Sequence, residues 1–235
     1  MRLKELRSEI KRNANKKQAE ILQRFFKTGK GEYGEGDVFA GIKVPVQRKI
    51  ARDFSDLEFD DLQNLLNSEI HEERLIALFI LVDKYQKERE KGKEMIYKFY
   101  LKNRKKINNW DLVDLSAPKI IGAHLLDRDK QILYKYARSK NLWERRIAIL
   151  STHAFIKESQ FITTMEIADI LLNDEHDLIH KAVGWMLREL GKMDVKQLEK
   201  FLKKRYKNMP RTMLRYSIEK FSESKRKMYL KGEIL

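Results

Sequence analysis

The sequence contains no cysteine, and this absence excludes several kinds of chemistry at once. Without thiols the chain has no disulfides, no cysteine-ligated zinc, no iron–sulfur clusters and no thiol nucleophile. The first residues, MRLKELRSEIKRNANKK, contain no apolar stretch typical of a secretory signal. The longest apolar run, LIALFILV at 75–82, is far shorter than the ~20 residues that span a membrane. We therefore expect a cytoplasmic protein that has no membrane partner.

Proline and glycine are also scarce, at 3 and 10 of 235 residues, which leaves long stretches free to form helices. Apolar residues recur at three- and four-residue steps along most of the chain, for example at Leu75, Leu78, Phe79 and Val82. This spacing predicts amphipathic helices. Alternating strand patterns with Asn-Gly or Asp-Gly turns are absent. The sequence therefore predicts an all-α protein.

Several of the expected helices share a period. The segments ERLIALFIL (73–81), ERRIAILST (144–152) and HKAVGWMLR (180–188) superpose, and NWDLVDLSA (109–117) falls one step after the first. A period of this size, with two helices per unit, is typical of an α–α superhelix built from HEAT-like repeats. We expect residues 1–235 to form a single solenoid domain of this kind, for which a monomer suffices.

Such a solenoid curves and presents one concave face, which side chains at equivalent positions line. The equivalent positions in the four segments are Arg74, Trp110, Arg145 with Arg146, and Lys181. The sequence therefore predicts a concave face that carries these side chains.

Positive charge is the main feature of the composition. Lys and Arg total 50 against 35 Asp and Glu, which gives a net charge of +15 and a pI near 9.7. Between Lys196 and Lys231 there are 13 basic residues and 3 acidic ones. This excess favours a polyanionic partner such as nucleic acid, although a generic basic surface remains the alternative.

The one glycine-rich stretch is KGEYGEGDVFAGIKVP at 30–45. It lacks the order of residues that forms a nucleotide-binding loop. We expect a flexible loop that leads to a helix starting at Pro45, since proline suits a first helical turn.

The segment NNWDLVDLSAP (108–118) places carboxylates beside an aromatic ring in this basic chain. Trp110 and Asp114 are four residues apart, so they share one face of a helix. Asp111 points away from that face and lies in the first turn, with Asn108 as the expected N-cap, where a carboxylate is stabilised. Asp114 is therefore the functional candidate, and the alternative for it is a surface salt bridge.

Of the remaining tryptophans, one is a candidate for function and the other for core packing. Trp185 lies three residues before Arg188 on one helical face, and we expect Trp110 and Trp185, which both have charged neighbours on their face, to be exposed in the groove. Trp143 precedes two arginines, and we assign it to core packing.

A carboxylate beside a sugar can stabilise an oxocarbenium-like transition state and orient a water molecule. Arginines clamp phosphates, and aromatic faces attract cations. At an effective dielectric of about 20, a charge pair ~4 Å apart contributes about 4 kcal/mol, or nearly three powers of ten in rate. The constellation therefore suits hydrolysis at a sugar that belongs to a polyanion.

With these motifs the chain resembles the AlkD-like DNA alkylation repair enzymes, which are HEAT-like-repeat DNA glycosylases. The resemblance runs from about residue 20 to about 220. The motifs that carry it are GIKVPVQR (41–48), NNWDLVDLSAP (108–118), LWERRIAIL (142–150) and KAVGWMLRE (181–189). Their order and spacing together are more specific than any one of them.

The resemblance implies the roles of the site residues. Asp114 looks like the essential aspartate, Trp110 and Trp185 like the sugar-contacting tryptophans, and Arg146 like the arginine that holds the phosphate near the lesion. Further DNA contacts are implied at Arg188, Lys43, Arg48, Tyr33 and Arg145. Family members carry other polar residues where Lys43 lies, and Tyr33 matches only across a short gap.

The implied reaction is hydrolysis of the N-glycosidic bond to cationic N3- and N7-alkylated purines in duplex DNA. An alkylated cationic base leaves as a neutral molecule, so no general acid is needed beside Asp114. The resemblance implies no cofactor, and the five histidines show no metal-ligand spacing. The partner that the resemblance implies is alkylated double-stranded DNA, and we expect the protein with the nucleoid in a bacterial cytoplasm.

Two other functions fit a helical-repeat chain. One is a non-catalytic HEAT-like protein that binds unusual or damaged DNA structures. The other is a protein-interaction scaffold, which the basic C-terminal segment disfavours. Salt-dependent duplex binding separates both DNA functions from the scaffold, and base release separates the enzyme from the binding protein.

Overall fold

The computed structural model describes residues 2–234, which form helices joined by turns and one longer loop. The helices are α1 (Arg2–Asn13), α2 (Lys16–Phe25), α3 (Val44–Asp53), α4 (Phe59–Leu66), α5 (His71–Lys87), α6 (Glu90–Asn103), α7 (Trp110–Ala117), α8 (Ala123–Leu125), α9 (Gln131–Ala137), α10 (Leu142–Lys157), α11 (Ile162–Ile170), α12 (Asp177–Met193), α13 (Val195–Lys203), α14 (Arg211–Ser217) and α15 (Glu223–Lys231).

Two short irregular turns complete the secondary structure, a 3-10 turn at Arg104–Lys106 and a π-helical turn at Pro118–Gly122. Residues 2–234 contain no β-strand, and a single isolated bridge pairs Val38 with Ile70. The all-α prediction is confirmed. None of the described helices is long and apolar enough to cross a membrane.

The contacts within the chain divide it into two compact units, with the boundary between Ser116 and Ala117. In the N-terminal unit α5 is central, and every residue from His71 to Val82 is buried because α3, α4 and α6 pack around this helix. In the C-terminal unit α10 packs against α9, α11 and α12, and α12 packs against α13 and α14. A single repeat domain over residues 1–235 stays a prediction.

The internal period has a structural counterpart at the fourth residue of α5, α10 and α12. Arg74 donates through Nη1 to the backbone carbonyls six and five residues before it, at 2.9 and 3.2 Å. Arg145 makes the same two bonds, both at 3.0 Å. His180 likewise bonds the carbonyl six residues earlier, that of Asp174. The equivalence of the starts of α5 and α10, inferred from the sequence, is confirmed, whereas the matching residue of α12 is His180, one position before the predicted Lys181.

These bonds correct one expectation about the repeated positions. Arg74 is only 4 % exposed, and its guanidinium bonds the Asp37 carboxylate at 2.5 Å as well as the turn before α5. Its side chain is therefore used inside the protein and does not line an open face. The physical reason is that the turns preceding these helices leave carbonyls that need donors, and an arginine in the first turn reaches two of them.

The loop between α2 and α3 is anchored, in contrast to the flexible loop that its glycines suggest. The buried carboxylate of Glu72 accepts the backbone N–H groups of Ala40, Gly41 and Ile42, at 2.8–3.1 Å. Gly41 has a φ of +84°, and a Cβ at this position would lie 2.1 Å from the Asn15 carbonyl oxygen. The helix after the loop begins at Val44, one residue earlier than expected, with proline inside the first turn.

The π-helical turn follows directly after α7. Pro118 has no N–H to donate to the carbonyl four residues earlier, which disturbs regular α-helical bonding at this point. Within the C-terminal unit, Gly122 ends this turn, where a Cβ would lie 2.2 Å from the Ser151 carbonyl oxygen. Only glycine therefore allows the π turn to approach α10 this closely.

Candidate functional site

Helix α7 separates buried from accessible side chains within two turns. Asp111, Leu112 and Val113 are buried, whereas Trp110 and Asp114 are partly exposed. The four-residue spacing places the indole and this second carboxylate on one face of the helix. The arrangement matches the face predicted from the sequence.

The start of α7 is fixed by Asn109, one residue later than the N-cap expected at Asn108. The Asn109 Oδ1 atom accepts the backbone N–H of Trp110 at 2.8 Å. The Asn109 Nδ2 atom donates at 2.8 Å to Asp37, in the loop between α2 and α3. The prediction for Asn108 was wrong, because its Oδ1 atom accepts no hydrogen bond and Asn109 instead bonds the first residue of the helix.

Asp111 lies in the first turn of α7, as predicted, and also belongs to a buried polar cluster. Its Oδ2 atom lies 2.9 Å from Nε2 of His71, while Nδ1 of the same ring lies 2.9 Å from Oδ2 of Asp37. Arg74 bonds the second oxygen of Asp37. Local sequence patterns do not show these contacts, because their partners come from the loop, α5 and α7.

The pKa values of this cluster follow from its contacts. Burial opposes a charge on His71, but the Coulombic attraction of Asp111 and the hydrogen bonds to Asp111 and Asp37 raise the pKa of His71 to about 9. Burial would raise the pKa of Asp37, yet the bond from His71 and the charge of Arg74 lower it below its ordinary value. At neutral pH the His71 ring is therefore an imidazolium held between two carboxylates.

The indole of Trp110 rests on two phenylalanines at the end of α2. Its ring stacks on Phe26, with centroids 5.0 Å and planes 7° apart. Phe25 meets the same indole edge-on at 6.0 Å and is 61 % exposed. Phe25 was not predicted from the sequence, since two adjacent phenylalanines at the end of a helix look like ordinary core residues. An exposed aromatic edge thus adjoins the Trp110 ring.

The other predicted residues of the N-terminal unit lie in and after the α2–α3 loop. Lys43 is exposed immediately before α3. The Arg48 guanidinium lies over the Phe79 ring at 4.2 Å. The Tyr33 hydroxyl is 3.5 Å from the Phe25 carbonyl oxygen. Lys43 is thus an accessible cation, whereas Arg48 and Tyr33 also have contacts inside the protein.

In the C-terminal unit, α12 carries Trp185 and Arg188 on one face around a shared carboxylate. Glu189 accepts the indole N–H of Trp185 at 3.1 Å, together with donors from Arg188 and Lys192. Burial would raise the pKa of Glu189, but the bond from Lys192 and the nearby charges lower it. Arg188 also pairs with Glu219. The carboxylate of Glu189 therefore orients both predicted contact residues of this helix.

The two arginines of α10 differ in their surroundings. Arg145 pairs with Asp174 at 2.5 Å and has a side chain that is 18 % exposed. Arg146 is 4 % exposed and donates to the Leu178 carbonyl oxygen. Trp143 is 8 % exposed, which confirms its assignment to the core. Both arginines thus have partners within the protein.

The basic C-terminal segment presents a charged surface on and around α13–α15. Its exposed cations are Lys196, Lys200, Lys203, Lys204, Lys207, Arg211, Arg215, Lys220, Lys227 and Lys231. Two of the local acids, Glu199 and Glu223, pair with neighbouring lysines. Within residues 2–234, no group of three or more His, Asp or Glu side chains is arranged so that it could hold a metal ion.

The fold is that of an all-α helical-repeat protein. Residues 6–221 match the family model described as DNA alkylation repair enzyme, and the chain belongs to this family. A solved structure, titled "Predicted DNA alkylation repair enzyme from Enterococcus faecalis", is similar to it with a TM-score of 0.69 and 17 % identity. That match covers 90 % of this chain and 98 % of the other and bears out the fold. No curated protein matches the sequence.

Membership of this family gives the protein a role in the repair of alkylated DNA, with DNA as its partner. The description of the family also indicates, in broad terms, that the protein is an enzyme.

Proposed function

We propose that the protein is a DNA glycosylase that hydrolyses the N-glycosidic bond of cationic N3- and N7-alkylated purines in duplex DNA. The observation that carries this proposal is the difference in burial and contacts between the two carboxylates of α7. Asp111 is buried against His71, whereas Asp114 is partly exposed on the same face as Trp110. Asp114 is therefore the carboxylate of α7 that can meet a substrate.

The chemistry fits a single carboxylate. As the bond between C1′ and the base nitrogen breaks, its electron pair neutralises the cationic base, which leaves without being protonated. Positive charge develops on the sugar, and the Asp114 carboxylate stabilises it. The oxygen of a water molecule then bonds to C1′, and the carboxylate accepts a proton from this water. No cofactor takes part in these steps.

The other predicted residues receive roles in binding. We assign the Trp110 ring and the Trp185 ring each to a sugar contact with the DNA, because aromatic faces attract the positive charge that a deoxyribose acquires. Arg146 is assigned to a phosphate near the lesion, a role that competes with its bond to the Leu178 carbonyl oxygen. The remaining DNA contacts are assigned to Lys43, Arg48, Tyr33, Arg145 and Arg188.

The basic surface supports binding to the DNA backbone. The net charge of +15, with exposed cations on and around α13–α15, suits a partner with regularly spaced phosphates. We propose that the protein acts as a monomer on the DNA of a bacterial nucleoid in the cytoplasm.

The test is release of N7-methylguanine from methylated duplex DNA, with wild type beside Asp114→Asn. We expect release by the wild type and a loss of at least about 100-fold in the variant, consistent with a carboxylate contribution of about 4 kcal/mol. Duplex affinity should be unchanged or higher in Asp114→Asn, because the substitution removes a negative charge.

Asp127→Asn is the matched control, since it makes the same change of charge at an exposed position outside α7. It should release base at the wild-type rate. Unchanged release in Asp114→Asn would overturn the catalytic role of Asp114. Tight, salt-sensitive DNA binding by a wild type that releases no base would instead indicate a non-catalytic DNA-binding relative.

A further inference from the structure

We propose that His71 is a positioning residue for the active site: its buried imidazolium fixes the first turn of α7 and, through a stack of rings, the indole of Trp110. The inference rests on the proposed function of Trp110 and Asp114, but His71 itself is assigned no contact with DNA. Its ring is 1 % exposed. Its influence on the substrate is therefore indirect, through the residues that it holds.

The geometry requires a charged ring. Nδ1 of His71 lies 2.9 Å from a carboxylate oxygen of Asp37, and Nε2 lies 2.9 Å from a carboxylate oxygen of Asp111. A neutral imidazole donates from only one nitrogen, and its other nitrogen would turn a lone pair toward a carboxylate. An imidazolium donates from both. Toward two carboxylates, both bonds are therefore made only when the ring is protonated.

The charges of the groups around His71 also balance when the ring is protonated. The charged groups that face His71 or its partners are Asp37 from the loop, Asp111 from α7 and Arg74 from α5. The other neighbours of the ring are the uncharged rings of Phe26 and Phe39. With His71 protonated, two buried anions meet two cations. Loss of the His71 proton leaves one buried negative charge without a counter-ion, which is unfavourable.

The first route from His71 to the active site runs through the backbone of α7. Asp111 bonds His71 with one oxygen and accepts the Leu112 N–H at 2.8 Å with the other. Asn109 is held by Asp37 and in turn accepts the Trp110 N–H. Both residues that flank Trp110 in the chain are therefore tied to the carboxylates that the imidazolium bridges.

The second route runs through aromatic rings. His71 stacks on Phe39 at 4.4 Å and 23°, Phe39 stacks on Phe26 at 4.8 Å and 28°, and Phe26 stacks on Trp110 at 5.0 Å and 7°. A cationic ring at the buried end of this stack is attracted by the aromatic face next to it. The indole thus rests on a support whose innermost member is the imidazolium.

A positioning role for His71 and a purely structural role predict different effects on base release. A structural cluster would change only the stability of the fold. A positioning cluster also places the Trp110 ring and the α7 turn that carries Asp114, so the rate of base release should follow the protonation of His71. A displacement of ~1 Å at a catalytic group lowers rates by about 100-fold.

The experiment compares wild type with His71→Gln in single-turnover base release across pH. Because both proteins act on the same substrate, the ratio of their rates cancels the ionisation of the alkylated base. We expect the wild type to be faster by at least about tenfold near neutral pH. The ratio should fall toward one as the pH passes about 9, where His71 loses its proton. A ratio that stays constant across this range would overturn the proposal.

A measurement without DNA keeps the test independent of the glycosylase assignment. In protein labelled with 5-fluorotryptophan, the ¹⁹F resonance of Trp110, identified with Trp110→Phe, should shift with a midpoint near pH 9. The buried Trp143 provides the reference signal. This titration uses the wild type and so needs no variant to fold. A Trp110 signal that does not titrate would overturn the positioning role, whereas failure to release base would overturn only the proposed enzyme.

Discussion

Arg74 and Arg145 lie 71 residues apart and hold equivalent turns, each donating through Nη1 to the backbone carbonyls five and six residues before it. Each also bonds an aspartate, Asp37 for Arg74 and Asp174 for Arg145. The side chain of Arg74 is 5 % exposed and that of Arg145 is 18 % exposed. The two arginines thus have the same structural role, but Arg74 is more deeply buried than Arg145.

The first prediction concerns the cost of removing these arginines. Arg74→Ala should lower the free energy of unfolding by about 3–5 kcal/mol, because it leaves the buried Asp37 without its guanidinium partner. Arg145→Ala should cost less, about 1–3 kcal/mol, because its ion pair is more exposed to water. Urea unfolding monitored by circular dichroism measures both values.

Lys135→Ala, at an exposed position, is the control and should leave the unfolding free energy unchanged within ~0.5 kcal/mol. Equal costs for Arg74→Ala and Arg145→Ala would contradict the argument from burial. A duplex-affinity loss in folded Arg145→Ala would support its proposed DNA contact, and unchanged affinity would assign it to structure alone.

The second prediction is a loss of stability at alkaline pH. The pKa of His71 is raised from 6.5 to about 9 in the folded protein, so its contribution is fully present below about pH 6.5. It is lost progressively as the pH rises from there through about 9, and the total is on the order of 3 kcal/mol. Urea midpoints measured at several pH values between these limits should therefore decrease.

His71→Gln should remove this dependence, since glutamine does not titrate. Burial lowers the pKa values of His153 and His176 below 6.5. These histidines therefore do not cause stability to fall between pH 6.5 and 9. Equal stability of the wild type at the two ends of the window would show that His71 is not an imidazolium in the folded protein.

The third prediction tests competition between a carboxylate and DNA for Arg188. Glu219 pairs with Arg188, and this bond lowers the pKa of Glu219. A phosphate that binds Arg188 has to replace this partner. Glu219→Gln should therefore raise duplex affinity by roughly two- to tenfold at low salt, an amount typical of one exposed charge. Fluorescence anisotropy with labelled duplex DNA measures the change.

Glu223→Gln makes the same change of charge on α15, where the glutamate pairs with Lys227. It controls for the general rise in net charge. If both variants bind DNA equally well, the gain comes from overall charge, and Arg188 has no special place in the interface. A gain confined to Glu219→Gln, and lost in the double variant with Arg188→Ala, would support the contact.

The sequence by itself determined the features that depend on neighbours along the helix. The periodic apolar residues gave the all-α fold, the four-residue spacing put Trp110 and Asp114 on one face, and the repeat located the equivalent starts of α5 and α10. Such patterns are readable because a helix brings together residues three and four positions apart. The roles of the site residues toward DNA stay predictions.

Only the tertiary structure decided how that face is supported. His71 meets partners 34 and 40 residues away, and Asn109 reaches Asp37 across 72. Glu72 closes a loop that its glycines alone suggested to be flexible, and Phe25 comes beside Trp110 from another helix. Contacts over such separations depend on how helices and loops pack, which no local spacing of residue types encodes.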